Sequence, residues 1–293
     1  SGVMTIPELL DKRFGRGVRR ASGVVIVLGG LLNMGVFLRT GGQFLVEVCG
    51  LRQTVTVWGH DVELLVVMMT ALLVGVAVYT ILGGMLSVLV TDFLQFIVMS
   101  LGLLVVTLLV LKNIGWDKLV STVQAHHGAG GFNPVANASM GWPYLIFNLL
   151  LATAAVLTWQ TTVARVLAAK DSATGRRIYT GTAFFFVCRF LIPGIWGIAA
   201  LATLAPGVTG GDSLIAMPRF LGGFVPVGMM GLLIAAMLAA DMSTDSSYML
   251  TWSSVIYNDI IAPFRKQRVT EHRGLFINRC LVAGIGVFLL IYG

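Results

Sequence analysis

AADMSTDSSYMLTWSSVIYNDI, Ala239 to Ile260, follows directly on the apolar run GFVPVGMMGLLIAAML. That run has the character of a membrane-helix interior, yet two carboxylates and a cluster of hydroxyls come next. A helical period of about 3.6 residues places Ala240, Ser243, Thr244, Ser247, Thr251 and Ser254 on one face, with Asp241 and Asp245 on its flank. A single hydroxyl there bonds back to its own helix or lets two helices approach closely. The density points further. Hydroxyls at four of the seven positions after Ala240 offer the hard oxygen donors that a small dehydrated cation requires. Carboxylates at membrane depth point to function, the structural alternative for Asp241 and Asp245 being an ion pair.

The rest of the chain supports a membrane setting. Of its 293 residues 57% are hydrophobic and 11% charged, and the mean hydropathy is +0.89, which is not the balance of a water-soluble domain. Apolar runs at about 21–46, 62–82, 86–111, 142–169, 178–205, 224–261 and 275–293 predict seven helical spans of an all-α polytopic membrane protein. The net charge of +7 is distributed as a topology signal. Loops 11–20, 165–177 and 263–273 hold 5, 4 and 4 of the 20 Lys and Arg, and they fall on one side if the spans alternate, which predicts the cytoplasmic side of a plasma-membrane protein. The other loops, 47–61, 112–141 and 206–222, carry only Arg52, Lys112, Lys118 and Arg219. No basic stripe on a soluble face suggests nucleic acid.

Several features are silent. Cys49, Cys188 and Cys280 lack metal-ligand spacing, and His126-His127 in QAHHGAGGF reads as a solvated pair in a Gly-rich loop. Asn137-Ala138-Ser139 fits a glycosylation sequon. No Ser-His-Asp or HExxH arrangement falls within the spans, so an enzyme is disfavoured and no cofactor is implied. The chain opens with a loop and closes inside an apolar run, and so reads as one membrane domain, 1–293, lacking helices at both ends.

YTILGGMLSVLVTDFLQ, Tyr79 to Gln95, supplies the second informative stretch. Gly83-Gly84 predicts a tight turn between two helices, and Asp92, about two turns into the second, must find a partner or a cation. With TIPELLDKRFG (Thr5 to Gly15) and the AxxMST pattern at Ala239 to Thr244, this stretch resembles the sodium/solute symporters, the family of sugar, proline, pantothenate, iodide and sialic acid transporters.

The resemblance implies a leucine-transporter-type inverted-repeat bundle with ion sites near the membrane midplane. By that analogy the chain holds core helices three to nine, lacking the first, second and tenth. A first sodium site would take the carbonyl of Ala240 and the hydroxyls of Ser243 and Thr244. A second, found in some members, would take Asp92 with Ser243, Ser246 and Ser247. Sugar-transporting members carry an Asn-Gln pair where this chain has Trp159-Gln160, a departure that weakens the sugar reading. Arg189 is a candidate either for a carboxylate substrate or for a pair with Asp241 or Asp245; Arg39 is expected to snorkel to the surface. The implied activity is sodium-coupled symport of a small organic solute across the lipid bilayer. The alternatives are a symporter-like sensory module and a proton-coupled carrier.

Overall fold

The computed structural model describes residues 3–57, 59–137, 140–167, 169–204, 213–264 and 270–293. Ser139 of the sequon and parts of the 206–222 and 263–273 loops lie outside the described residues. The chain forms α1 (Ile6–Phe14), α2 (Arg16–Val48), a hairpin of β1 (Thr54–Val57) and β2 (His60–Glu63), α3 (Leu64–Ile114), α4 (Trp116–His127), α5 (Gly141–Thr158), α6 (Gln160–Leu167), α7 (Ser172–Thr203), α8 (Ala216–Phe224), α9 (Val227–Val255) and α10 (Glu271–Tyr292). A π-helical stretch, Ile256–Ile261, extends α9. Among the described residues six helices, α9 with its extension being one, are long and apolar enough to cross a membrane.

One of the six is two spans. α3 has 51 residues and if straight would measure about 75 Å, against about 30 Å of bilayer hydrocarbon. It is interrupted at Gly84, which adopts φ 61° and ψ −160°, a left-handed conformation suited to glycine. Tyr79 before the break donates a hydrogen bond to the Met242 carbonyl at 3.0 Å, and Asp92 after it accepts one from Ser243 at 2.7 Å. A straight helix would separate Tyr79 and Asp92 by about 20 Å along its axis, yet both reach adjacent residues of α9. The chain therefore doubles back at Gly84, as the Gly-Gly pair predicts, and the two limbs of α3 bring the spans to the expected seven.

Three expectations need correction. The predicted span 142–169 is not continuous: α5 ends at Thr158, Trp159 is extended (φ −76°, ψ 105°) and α6 begins at Gln160. The Trp159 ring packs edge-on against Tyr248 and Trp252 of α9, at centroid distances of 6.0 and 6.1 Å, so the interruption sits against the polar helix. The expected loop 11–20 is helical. Thr5 caps α1 by accepting from the Glu8 backbone amide (3.2 Å), while Glu8 reaches back to the Met4 amide (2.8 Å), a reciprocal cap written in Thr5-Ile6-Pro7-Glu8. The expected loops 47–61, 112–141 and 206–222 contain the hairpin, α4 and α8.

α1, the start of α2, the start of α6 and the end of α9 meet at one end. Arg19 of α2 pairs with Asp11 (3.1 Å) and with buried Asp259 of the π-helical stretch (2.8 Å), and it donates to the Asn258 carbonyl. Thr5 also donates to Asp259 (3.0 Å), and the Ile6 amide donates to Gln160 Oε1 (2.9 Å), so α1 ties α6 and the end of α9 together. Asp171, on the segment from α6 into α7, caps α7 through the Thr174 amide, which holds its carboxyl below the usual carboxylate range.

α2 and α9 run antiparallel and touch through glycine. A Cβ placed on Gly23 would lie 3.4 Å from Asp259, on Gly30 2.2 Å from the Trp252 ring, and on Gly41 2.4 Å from the Asp241 carboxylate. Climbing α2 thus descends α9, and at Gly30 the buried Trp252 ring leaves no room for a side chain, while Gly41 leaves the Asp241 carboxylate its space. Small residues permit this approach where no water drives helices together. The core around it holds Met34, Leu38, Trp196, Leu233, Met249 and Trp252, all essentially buried. Gly30→Ala therefore forces the buried Trp252 ring to move and is expected to destabilise by about 1–3 kcal/mol. Gly29→Ala, whose added Cβ meets nothing within 4 Å, is expected to be neutral or stabilising. Melting midpoints of the two variants in detergent would check the contrast.

Candidate functional site

The site is built where the two limbs of α3 and the start of α6 meet the middle of α9. From Asp245 to Met249 the helix is buried on all sides, Asp245 and Ser246 at 0% exposure. Its buried hydroxyls are satisfied within the helix, by bonding to its own carbonyls. Thr244 Oγ1 donates to the Ala240 carbonyl (2.9 Å), and Ser246 and Ser247 donate to the Ser243 carbonyl (3.2 and 2.6 Å). This is the back-bonding expected of a lone serine, here repeated over adjacent turns.

Asp92 supplies the charge. Its Oδ1 accepts from Ser243 Oγ at 2.7 Å, and its Oδ2 lies 2.5 Å from Arg165 Nη2. The same guanidinium nitrogen contacts Ser247 Oγ. Asp92, Ser243 and Ser247, which the sequence linked only through resemblance, are therefore one hydrogen-bonded group. Its fourth member is Arg165, which the sequence analysis placed in a basic loop. The break at Trp159 explains the difference: with α6 a separate helix, Arg165 lies beside α3 and α9 rather than beyond the membrane. The available signal was the amphipathic pattern QTTVARVL, whose polar Gln160, Thr161 and Arg165 do not suit a lipid-facing span.

The remaining candidates scatter. Gln160 is buried and bonds to the Ile6 amide, so it secures α1. Trp159 packs on the aromatic face of Tyr248 and Trp252. Arg189 is exposed on α7, stacks over Phe186 and Phe190, and makes no ion pair among the described residues, so the anticipated pairing with Asp241 or Asp245 is not formed. Arg39 is exposed and donates to the Gly293 carbonyl at 2.9 Å. Asp241 Oδ2 and both oxygens of Asp245 are buried without a hydrogen-bond partner. Among the described residues no group of three or more His, Cys, Asp or Glu side chains forms a multivalent metal site, which leaves the hydroxyl and carbonyl face as the oxygen-rich surface. Tyr79, which the sequence did not single out, adds its hydroxyl at the Met242 carbonyl.

The profile of the sodium:solute symporter family matches residues 1–292. The chain belongs to that family. Among individual members it is 30% identical to mouse sodium/glucose cotransporter 4, over 100% of this chain and 46% of that protein. It is 29% identical to the mouse sodium/myo-inositol cotransporter, over 97% of this chain and 44% of that protein. The chain thus spans less than half the length of these symporters. A substrate-bound, outward-open structure of a Na+-coupled sialic acid symporter superposes with a TM-score of 0.82 at 20% identity, covering 98% of this chain and 60% of that one. The fold is therefore the symporters' leucine-transporter-type bundle, and the interruption at Trp159 is the kind of discontinuous helix around which such bundles build their sites.

Arg165 and Asp92 each leave a charge behind when the other is removed. Arg165→Met and Asp92→Asn are each expected to lower stability more than the combined variant does, with a coupling of about 1–2 kcal/mol after allowance for the partial exposure of Arg165. A double-mutant cycle of thermal unfolding in detergent measures it.

Proposed function

We propose that the protein is a secondary active transporter that carries a small organic solute with sodium by alternating access. The observation that supports this best is the cluster of Asp92, Ser243 and Ser247 against the hydroxyl-rich face of α9. The Ala240 carbonyl and the hydroxyls of Ser243 and Thr244 form the first sodium site in this reading. Asp92, Ser246 and Ser247 form a second, which sodium reaches only when Arg165 withdraws its guanidinium. Glucose and myo-inositol, named for the two cotransporters above, support a small polar solute without specifying it.

The driving force follows from charge and concentration. One positive charge moved inward across ~100 mV releases about 2.3 kcal/mol, and a tenfold sodium gradient adds about 1.4 kcal/mol. Each sodium thus sustains a solute gradient of roughly 500-fold. Sodium held by α9 would stabilise the state that admits solute, and its loss would release the helices to rock. The end carrying α1, the Gly84 turn and the 11–20, 165–177 and 263–273 stretches is assigned to the cytoplasm, in the plasma membrane, on the excess of Lys and Arg there.

Uptake of labelled sugars, polyols, amino acids and monocarboxylates by the complete gene product in proteoliposomes tests the reading. An inward sodium gradient is expected to raise uptake of one solute at least tenfold. Ser243→Ala is expected to remove that stimulation and Asp92→Asn to weaken it. Uptake indifferent to sodium would indicate a proton-coupled carrier, and solute binding without uptake a sensor.

A further inference from the structure

The carboxylates of Asp241 and Asp245 take no part in the Asp92 cluster. They lie one turn apart on α9, where α2 packs against it. Asp245 is at 0% exposure, and neither of its oxygens has a partner; Asp241 Oδ2 is buried and unpartnered as well. None of the salt bridges among the described residues involves either side chain, and the nearby basic groups are engaged elsewhere: Arg165 with Asp92 and Ser247, Arg189 over its phenylalanines, Arg39 at the Gly293 carbonyl. Two carboxylates in such a place either hold protons or face a positive charge, because burying an ionised one without a partner costs far more than the hydrogen bonds of a helix return.

The surroundings indicate what kind of positive charge. A cavity of about 330 Å³ opens on Asp241, walled by Phe37, Phe44, Met217 and Met237, with the polar edge of Thr40 and Thr244. Gly41 leaves the carboxylate its room, since a Cβ there would lie 2.4 Å from Oδ1. A bare metal ion is best served by oxygens on every side, whereas aromatic and thioether walls around one carboxylate suit a cation carrying its own carbon substituents.

We propose that Asp241 and Asp245 form a binding site for an alkylammonium group, seated in the cavity between α2, α8 and α9 beside the hydroxyl face, and that the carried solute bears such a group. This names the substrate class and rests on the transporter reading, but the site itself is testable by binding alone. Asp241 makes the direct ion pair at the cavity; Asp245, one turn deeper, adds attraction without being reached by the alkyl groups.

The complete gene product in lipid nanodiscs, with osmolarity balanced by sucrose in buffers free of other organic cations, is titrated with sodium alone and with ethylammonium and tetramethylammonium at fixed sodium. The readout is the shift in melting midpoint. Both ammonium ions are expected to raise it saturably in the wild type. Asp241→Asn with Asp245→Asn is expected to weaken ammonium binding at least tenfold while the sodium titration stays within twofold. Gly41→Ala, which retains both carboxylates and narrows their space, is expected to weaken tetramethylammonium more than ethylammonium. Ser243→Ala is expected to do the reverse of the double variant, losing sodium and retaining ammonium, so a failure of the sodium reading and a failure of this site are told apart. Ammonium binding that survives the double variant overturns the proposal. So does a wild type that responds to sodium but to neither ammonium ion, and so does a double variant whose loss is of sodium, which would make the pair an inorganic cation site.

Discussion

The close contact between α2 and α9 is the constraint on which the rest depends. Lipid offers no hydrophobic incentive for two apolar helices to associate, so they associate where backbones approach closely enough for dispersion and polar contacts to act. Gly23, Gly30 and Gly41 set that approach at three levels, and each level has a different partner: Asp259, Trp252 and Asp241. A helix pair separated by larger side chains would open the seam beside Asp241. The two limbs of α3 and the start of α6 meet α9 on its other side, at the hydroxyls.

Around that axis the polar groups divide into two sets. Asp92, Ser243, Ser247 and Arg165 satisfy one another, and charge-assisted hydrogen bonds at this depth hold three separate chain segments together. Asp241 and Asp245 satisfy nothing. The difference is one of helical phase: Ser243 and Ser247 turn toward α3 and α6, whereas Asp241 turns toward Gly41 of α2 and its Oδ2 makes no hydrogen bond there.

Much of this was legible in the sequence. The polar face of α9, the turn at Gly84, the need of Asp92 for a partner and the number of spans follow from periodicity, glycine chemistry and hydropathy, which are local properties. The interruption at Trp159 was not legible, because Thr158, Trp159 and Gln160 contain neither proline nor glycine. That break is held by tertiary contacts, the indole against Tyr248 and Trp252 and Gln160 against the Ile6 amide, and no window of sequence contains both partners. The misplacement of Arg165 followed from that one omission. The cap of α1 is local as well, lying within Met4-Thr5-Ile6-Pro7-Glu8.

The tie formed by α1 has a mechanical consequence. Its first turn is fastened to α6 through the Ile6 amide and to the end of α9 through Thr5 and Asp259. Pulling those two helices apart at this end breaks one of these ties: losing Gln160 strands the Ile6 amide, at about 1–3 kcal/mol, whereas losing Thr5 leaves Asp259 still paired with Arg19. Further along the same two helices Arg165 of α6 reaches Ser247 of α9, a second fastening about a turn and a half along α6 from Gln160. The two helices are therefore clamped like a board held by two screws, and a change of angle between them has to release the Arg165 contact as well as the tie through α1.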